Sequence, residues 1–195
     1  MSIYKEWKGS PMFENGRKEP ILGVCIHIAQ GTAQQTYQTF QNEQKSSHYL
    51  VTNTGKVWQF VKEEDTAWAQ GIKNNPSAQI VLDRIDKNPN SYLISIEHEG
   101  KDDISYVQYS ASALLLYEIC SQWNIPLDRT HIIRHNEINK GKTCPAKISV
   151  EELIRQAKLY APLPLEPEFW LKRFLEALIK FFQDYLLKLG LVSRK

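Results

Sequence analysis

Tyr92-Leu93-Ile94-Ser95-Ile96-Glu97-His98 is an apolar run of strand length that ends on a carboxylate and an imidazole. Alternation along a strand puts Glu97 on the face shared by Ser95 and turns His98 to the other side. Upstream, residues 21–28 are rich in Ile, Val and Leu and end at His27, and they read as a second, buried strand. Thr32 caps a predicted helix reaching about residue 42. Segments 47–51 and 56–61 are β-rich and separated by Thr52-Asn53-Thr54-Gly55, the composition of a hairpin turn. Downstream, Ser110 caps a predicted helix with Leu114, Tyr117, Cys120 and Trp123 along it, stopped by Pro126. Ile132-Ile133 is a short strand, and Ser149-Val150-Glu151-Glu152 has the form of a capping box, predicting a helix to about residue 160. Strands alternating with helices specify the α/β class. Residues 1–20 are polar, with turn signals at Gly9-Ser10-Pro11 and Glu19-Pro20, and read as an irregular lead-in; residues 73–90, with Asn-Pro twice, read as a surface loop.

The chain has 195 residues, 42% of them hydrophobic, which supplies a core for one domain with an appendage. Net charge is +2 and the basic residues are scattered, so the electrostatic footprint of a nucleic-acid-binding protein is missing from the sequence. Three cysteines, Cys25, Cys120 and Cys144, have no paired spacing and read as free thiols of a reducing compartment. Residues 1–10 carry Lys5, Glu6 and Lys8 and lack the apolar run of a secretory signal, which predicts synthesis in the cytoplasm.

The chemistry concentrates in His135-Asn136-Glu137-Ile138-Asn139-Lys140-Gly141-Lys142-Thr143-Cys144-Pro145. An imidazole, a thiol and a lysine share this short irregular segment, and one further donor completes a three-ligand metal site. His27, at a strand end, is the candidate third ligand. A catalytic zinc keeps three protein ligands and an open position for water. Glu97, also at a strand end, is a candidate proton carrier. No HExxH motif is present, which argues against a helix-borne zinc protease site.

The segments Val24-Cys25-Ile26-His27, Ser46-Ser47-His48-Tyr49-Leu50-Val51-Thr52-Asn53-Thr54-Gly55-Lys56-Val57, Ala67-Trp68, Ile94-Ser95-Ile96-Glu97, Arg134-His135 and Lys142-Thr143-Cys144-Pro145 occur in the order seen in one family. In them the chain resembles the type 2 N-acetylmuramoyl-L-alanine amidases, which include phage endolysins, autolysins, the muropeptide-recycling amidase and the peptidoglycan recognition proteins. The resemblance covers about residues 21–160. It implies a mixed central sheet flanked by helices, a Zn2+ ion at the floor of a groove, and cleavage of the bond between N-acetylmuramic acid and L-alanine in peptidoglycan or a muropeptide. It also implies His27, His135 and Cys144 as metal ligands, Glu97 as acid/base and Lys142 as oxyanion support. Trp68, His48 and Ser47 are expected to line the groove, with core packing the alternative for Trp68 and a structural hydrogen-bonding role the alternative for His48. Ser47 stands where one branch has a catalytic tyrosine, and Ala69 stands where many members have a histidine. A peptidoglycan-binding module without catalysis is the alternative, and the cysteine ligand argues against it. Endolysin, autolysin and recycling enzyme all stay open, with release by lysis or a holin as the route to the cell wall.

These segments divide the chain into a catalytic domain at 1–160, a Pro-rich linker at 161–167 and an amphipathic helical tail at 168–195. Trp170, Phe174, Leu178, Phe181, Tyr185 and Leu189 form the apolar stripe of that tail, with Lys172, Glu176, Lys180, Asp184 and Lys188 opposite. Self-association or packing on the body, and a membrane-surface role, are both open for it; charges along one face argue against a transmembrane span.

Overall fold

A computed structural model of the chain describes residues 2–161 together with 174–176 and 178–181. It divides into two compact units, Met1–Ala161 and Pro162–Lys195. In the second, 174–176 and 178–181 are helical, with Phe174, Leu178 and Phe181 exposed; the rest of the expected tail and the Pro-rich stretch at 162–167 lie outside the described residues.

The first unit is built on a six-stranded mixed sheet in the order β1-β5-β4-β7-β3-β8. Its strands are β1 (Lys5–Trp7), β3 (Gly23–Ile26), β4 (Tyr49–Val51), β5 (Val57–Gln59), β7 (Leu93–His98) and β8 (Ile132–Arg134). β2 (Phe13–Glu14) and β6 (Thr66–Ala67) form a separate antiparallel pair. β4, β7, β3 and β8 run parallel, and the β4–β5 hairpin supplies the antiparallel step. Gly55 occupies the positive-φ position of the hairpin turn, φ 78°, and a Cβ there would come 2.7 Å from Val107 Cγ1.

Alternation sorts the strands into two faces. Val24, Ile26, Ile94, Ile96 and Ile132 pack with Leu115, Leu116 and Ile119 of α3 (Tyr106–Trp123) and Val150, Leu153 and Ile154 of α4 (Val150–Lys158). Each such side chain contributes about 1.5–3 kcal/mol by leaving water. On the opposite face, Cys25, Leu93 and Ile133 pack with Ile80 and Val81 of α2 (Gln79–Leu82), while Leu50 and Phe60 pack with Ala33 and Phe40 of α1 (Ala33–Asn42). The result is three layers with the sheet between helices.

Three local expectations change. The lead-in is not irregular throughout: residues 5–7 form β1, a parallel edge strand on β5, a pairing that only the folded sheet can supply. α3 starts five residues earlier than Ser110 suggests, because Ser105 makes the cap. Ser105 Oγ accepts from Gln108 N, Gln108 Oε1 accepts from Ser105 N, and Ser110 lies inside the helix. The 73–90 loop holds α2 and a 3-10 turn at Pro89–Ser91, whose Asn90 becomes important below. Thr32 caps α1 as expected, and Ser149 Oγ accepts from Glu152 N at the start of α4. No described helix is long and apolar enough to cross a membrane.

Candidate active site

The site lies past the carboxyl ends of the parallel strands, the edge where open α/β sheets place their ligands. His27 follows β3 and extends its ladder, donating its N–H to Ile96 O at 2.9 Å. Cys25 pairs with Ser95 and Ile26 with Ile96, so the next step brings His27 alongside Glu97 on the same face of the sheet. His27 Nδ1 and Glu97 Oε1 are 3.9 Å apart. His135 opens a 3-10 turn directly after β8, and Glu137 Oε2 secures that turn by accepting from Arg134 N at 2.7 Å.

The motif loop returns to the sheet through its own backbone. Asn136 N donates to Cys144 O, Lys142 N to Asn139 O, and Gly141 N to Asn139 Oδ1. Cys144 is thereby carried to β3, where Ile28 N–H donates to its Sγ at 3.3 Å. His27, His135 and Cys144 present ligand atoms within 4.8 Å of one another. Cys144 Sγ is 3.8 Å from His27 Nδ1, and the two imidazole centroids are 4.5 Å apart. Two nitrogens and one sulfur, gathered this closely, are a donor set that zinc accepts.

Electrostatics favour the neutral forms of this cluster without a cation. Burial, with His135 beside it, holds His27 well below the ordinary imidazole range, and burial also lowers His135. Both nitrogens are therefore ready as lone-pair donors. Burial and the Glu97 carboxyl push the Cys144 thiol up to about 12, a cost that metal binding, which deprotonates a coordinating thiol, would offset. Burial raises the Glu97 carboxyl to about 8, so the metal-free protein keeps a proton on it at neutral pH. Glu97 lines the cleft, and its Oε2 is buried with no hydrogen-bond partner among the described residues.

The cleft above has a volume of ≈ 680 Å³. His27, Glu97, His135, Cys144, Lys142 and Trp68 all line it, so the structure gathers six of the eight expected residues in one place. Ser47 and His48 are not brought there. Ser47 is fully buried, its hydroxyl donating to Ser95 O and Tyr49 O, and His48 is 1% exposed beneath Arg17. They sit at the start of β4 inside the sheet, where polar groups must satisfy one another. His98 also turns inward, bonding His27 O and Ser112 Oγ on the α3 side. Gln70, the support of both histidines, was not foreseen; its only signal is a carboxamide inside the small Ala67–Gly71 run.

Residues 17–147 match the model of the family described as N-acetylmuramoyl-L-alanine amidase. N-acetylmuramoyl-L-alanine amidase A of Achromobacter lyticus is 31% identical over 134 residues, 60% of this chain and 67% of that protein. Among solved structures, a selenomethionine derivative of AmpD superposes with a TM-score of 0.63 at 17% identity, covering 80% of this chain and 99% of that one. AmiD from E. coli, in complex with anhydro-N-acetylmuramic acid-L-Ala-D-γ-Glu-L-Lys, gives a TM-score of 0.52 at 22% identity over 63% of this chain and 51% of that one. Those likenesses establish the fold, and the family match spans every element that carries the cleft: this chain belongs to the N-acetylmuramoyl-L-alanine amidase family.

Proposed function

We propose that the protein hydrolyses the amide between N-acetylmuramic acid and L-alanine in peptidoglycan or a muropeptide, with a zinc ion held by His27, His135 and Cys144. The observation that carries this reading is the meeting, in one cleft, of a nitrogen-nitrogen-sulfur donor set with a buried carboxyl whose Oε2 has no hydrogen-bond partner among the described residues. Bound zinc supplies a Lewis acid that polarises a carbonyl and lowers the pKa of water.

The chain's own groups then divide the remaining work. Glu97 lies close enough to His27 to reach a molecule bound at the cluster, and its proton is the one to hand to the departing amine of L-alanine. Its burial matters here, because a carboxyl held near neutral pKa can both give and take a proton. Lys142, exposed on the motif loop at the rim, offers positive charge where a tetrahedral oxyanion would form. Trp68 gives the cleft a flat apolar wall on which a sugar or peptide can lie. The catalytic tyrosine of one branch is replaced here by Ser47, which is buried away from the cleft, so proton transfer falls to Glu97.

Mass spectrometry of the products from intact sacculi and from soluble anhydro-muropeptides tests this. Release of peptides with a free L-alanine amino terminus, abolished by chelation and restored by Zn2+, is expected. Cleavage that survives complete metal removal overturns the zinc assignment, and sacculus binding without product overturns the hydrolase.

A further inference from the structure

Gln70 is 1% exposed, and a carboxamide buried that deeply is placed by its hydrogen bonds. Its side-chain Oε1 lies 3.1 Å from His27 Nε2, and its backbone carbonyl lies 3.1 Å from His135 Nε2. Carbonyl oxygens only accept, so each ring must carry its proton on Nε2 and present Nδ1 as the lone pair. On His27 that lone pair is the atom 3.8 Å from Cys144 Sγ. One residue therefore sets the tautomer of both imidazoles, through two different groups.

Gln70 is itself fixed from behind. Its N–H and that of Ala69 both donate to Asn90 Oδ1, at 2.8 and 3.1 Å. Asn90 N–H donates to Asn88 Oδ1 at 3.0 Å, and its carbonyl accepts from Arg17 Nη1 at 3.2 Å. The support runs from a half-buried guanidinium through the buried Asn90 and Gln70 to the two rings. We infer that Gln70 is the positioning residue of this centre, orienting His27 with its side chain and His135 with its backbone so that both Nδ1 atoms are offered to one metal ion. The inference rests on reading His27, His135 and Cys144 as ligands, but the tautomers can be measured with no metal and no substrate present.

Long-range 1H–15N spectra of the histidine rings in the metal-free 195-residue chain are expected to show His27 and His135 both protonated at Nε2. Gln70→Leu keeps the bulk and removes the side-chain acceptor: His27 should shift toward its Nδ1-protonated form while His135 stays as it was. Zinc affinity, read by competition with a chromophoric chelator, should fall about 10- to 100-fold. Gln70→Glu retains an acceptor and should restore both the His27 tautomer and most of the affinity. An Nδ1-protonated ring in the unsubstituted protein overturns the proposal, even if the leucine variant does not fold. Unchanged His27 tautomer and unchanged zinc affinity in Gln70→Leu overturn it as well. An unsubstituted protein that shows both Nε2-protonated rings and binds zinc but cleaves no muropeptide would instead count against the proposed reaction and leave this inference standing.

Discussion

Lowering the pH from about 7.5 to about 5 will cost the folded state about 2 kcal/mol through His48 alone. His48 is 1% exposed, and Arg17 Nη2 lies 2.6 Å from its Nε2. A guanidinium can only donate, and on the other side of the ring Ser95 N–H donates to Nδ1 at 3.0 Å, so donors face both ring nitrogens and favour the neutral imidazole. Burial first, and the Arg17 charge second, lower the pKa to about 3, opposed by the Asp65 carbonyl 3.2 Å from Nε2. The unfolded chain takes up a second ring proton below about 6.5 while the folded chain refuses it, so stability falls as pH drops from about 6.5 toward 3. At pH 5 the two states have diverged over about 1.5 pH units, which at about 1.4 kcal/mol per unit gives the figure above. Urea denaturation of the unsubstituted protein and of His48→Gln at both pH values isolates this part. With a urea slope of about 2 kcal/mol per molar, the unsubstituted midpoint should drop about 1 M further than that of the variant. Equal drops in the two proteins would refute the claim that His48 is held neutral beneath Arg17. His48→Gln should also keep its turnover, because the ring does not line the cleft.

The remaining tests address the cleft and the frame. Cys144→Ser should lose stoichiometric zinc, measured by atomic absorption, and with it the amidase activity. Glu97→Gln should retain zinc while kcat on a muropeptide falls about 10²- to 10⁴-fold, the range lost with a general acid/base. Ser105→Ala should cost about 1 kcal/mol in thermal or urea unfolding by removing the α3 cap, whereas Ser110→Ala, inside the helix, should be neutral within about 0.5 kcal/mol. Leu115→Ala, at a fully buried position between α3 and the sheet, should cost about 2–5 kcal/mol in the same assay.

What could be read from the sequence is what short-range pattern and composition determine. Residues 92–98 alternate correctly, and Glu97 and His98 face the sides that alternation assigns. Thr32 and Ser149 cap their helices because capping is settled within four residues. Ser105 was missed although its signal was just as local: Gln108 at the third helical position closes a capping box that Ser110 lacks. β1 is different in kind. Lys5-Glu6-Trp7 is polar enough to pass for a lead-in, and it becomes a strand only because Val57–Gln59 presents an open edge beside it. His48 takes the structural one of its two expected roles, and one of its partners, Arg17, lies 31 residues earlier in a segment read as irregular.

That segment does more than cover the sheet. Arg17 donates to the carbonyls of Glu63, Asn90 and Leu93 as well as to His48, joining the lead-in to the strand that carries Glu97 and to the turn that holds Gln70. The residues with chemistry are on strand ends and one loop, where a motif can be recognised. The groups that aim them come from an arginine at 17, an asparagine at 90 and a glutamine at 70, no two of which are within reach of any local pattern. Aim in a metal centre is set by the second ring nitrogen of each histidine, so the part of the site hidden from the sequence is the part that decides which lone pair the cluster offers.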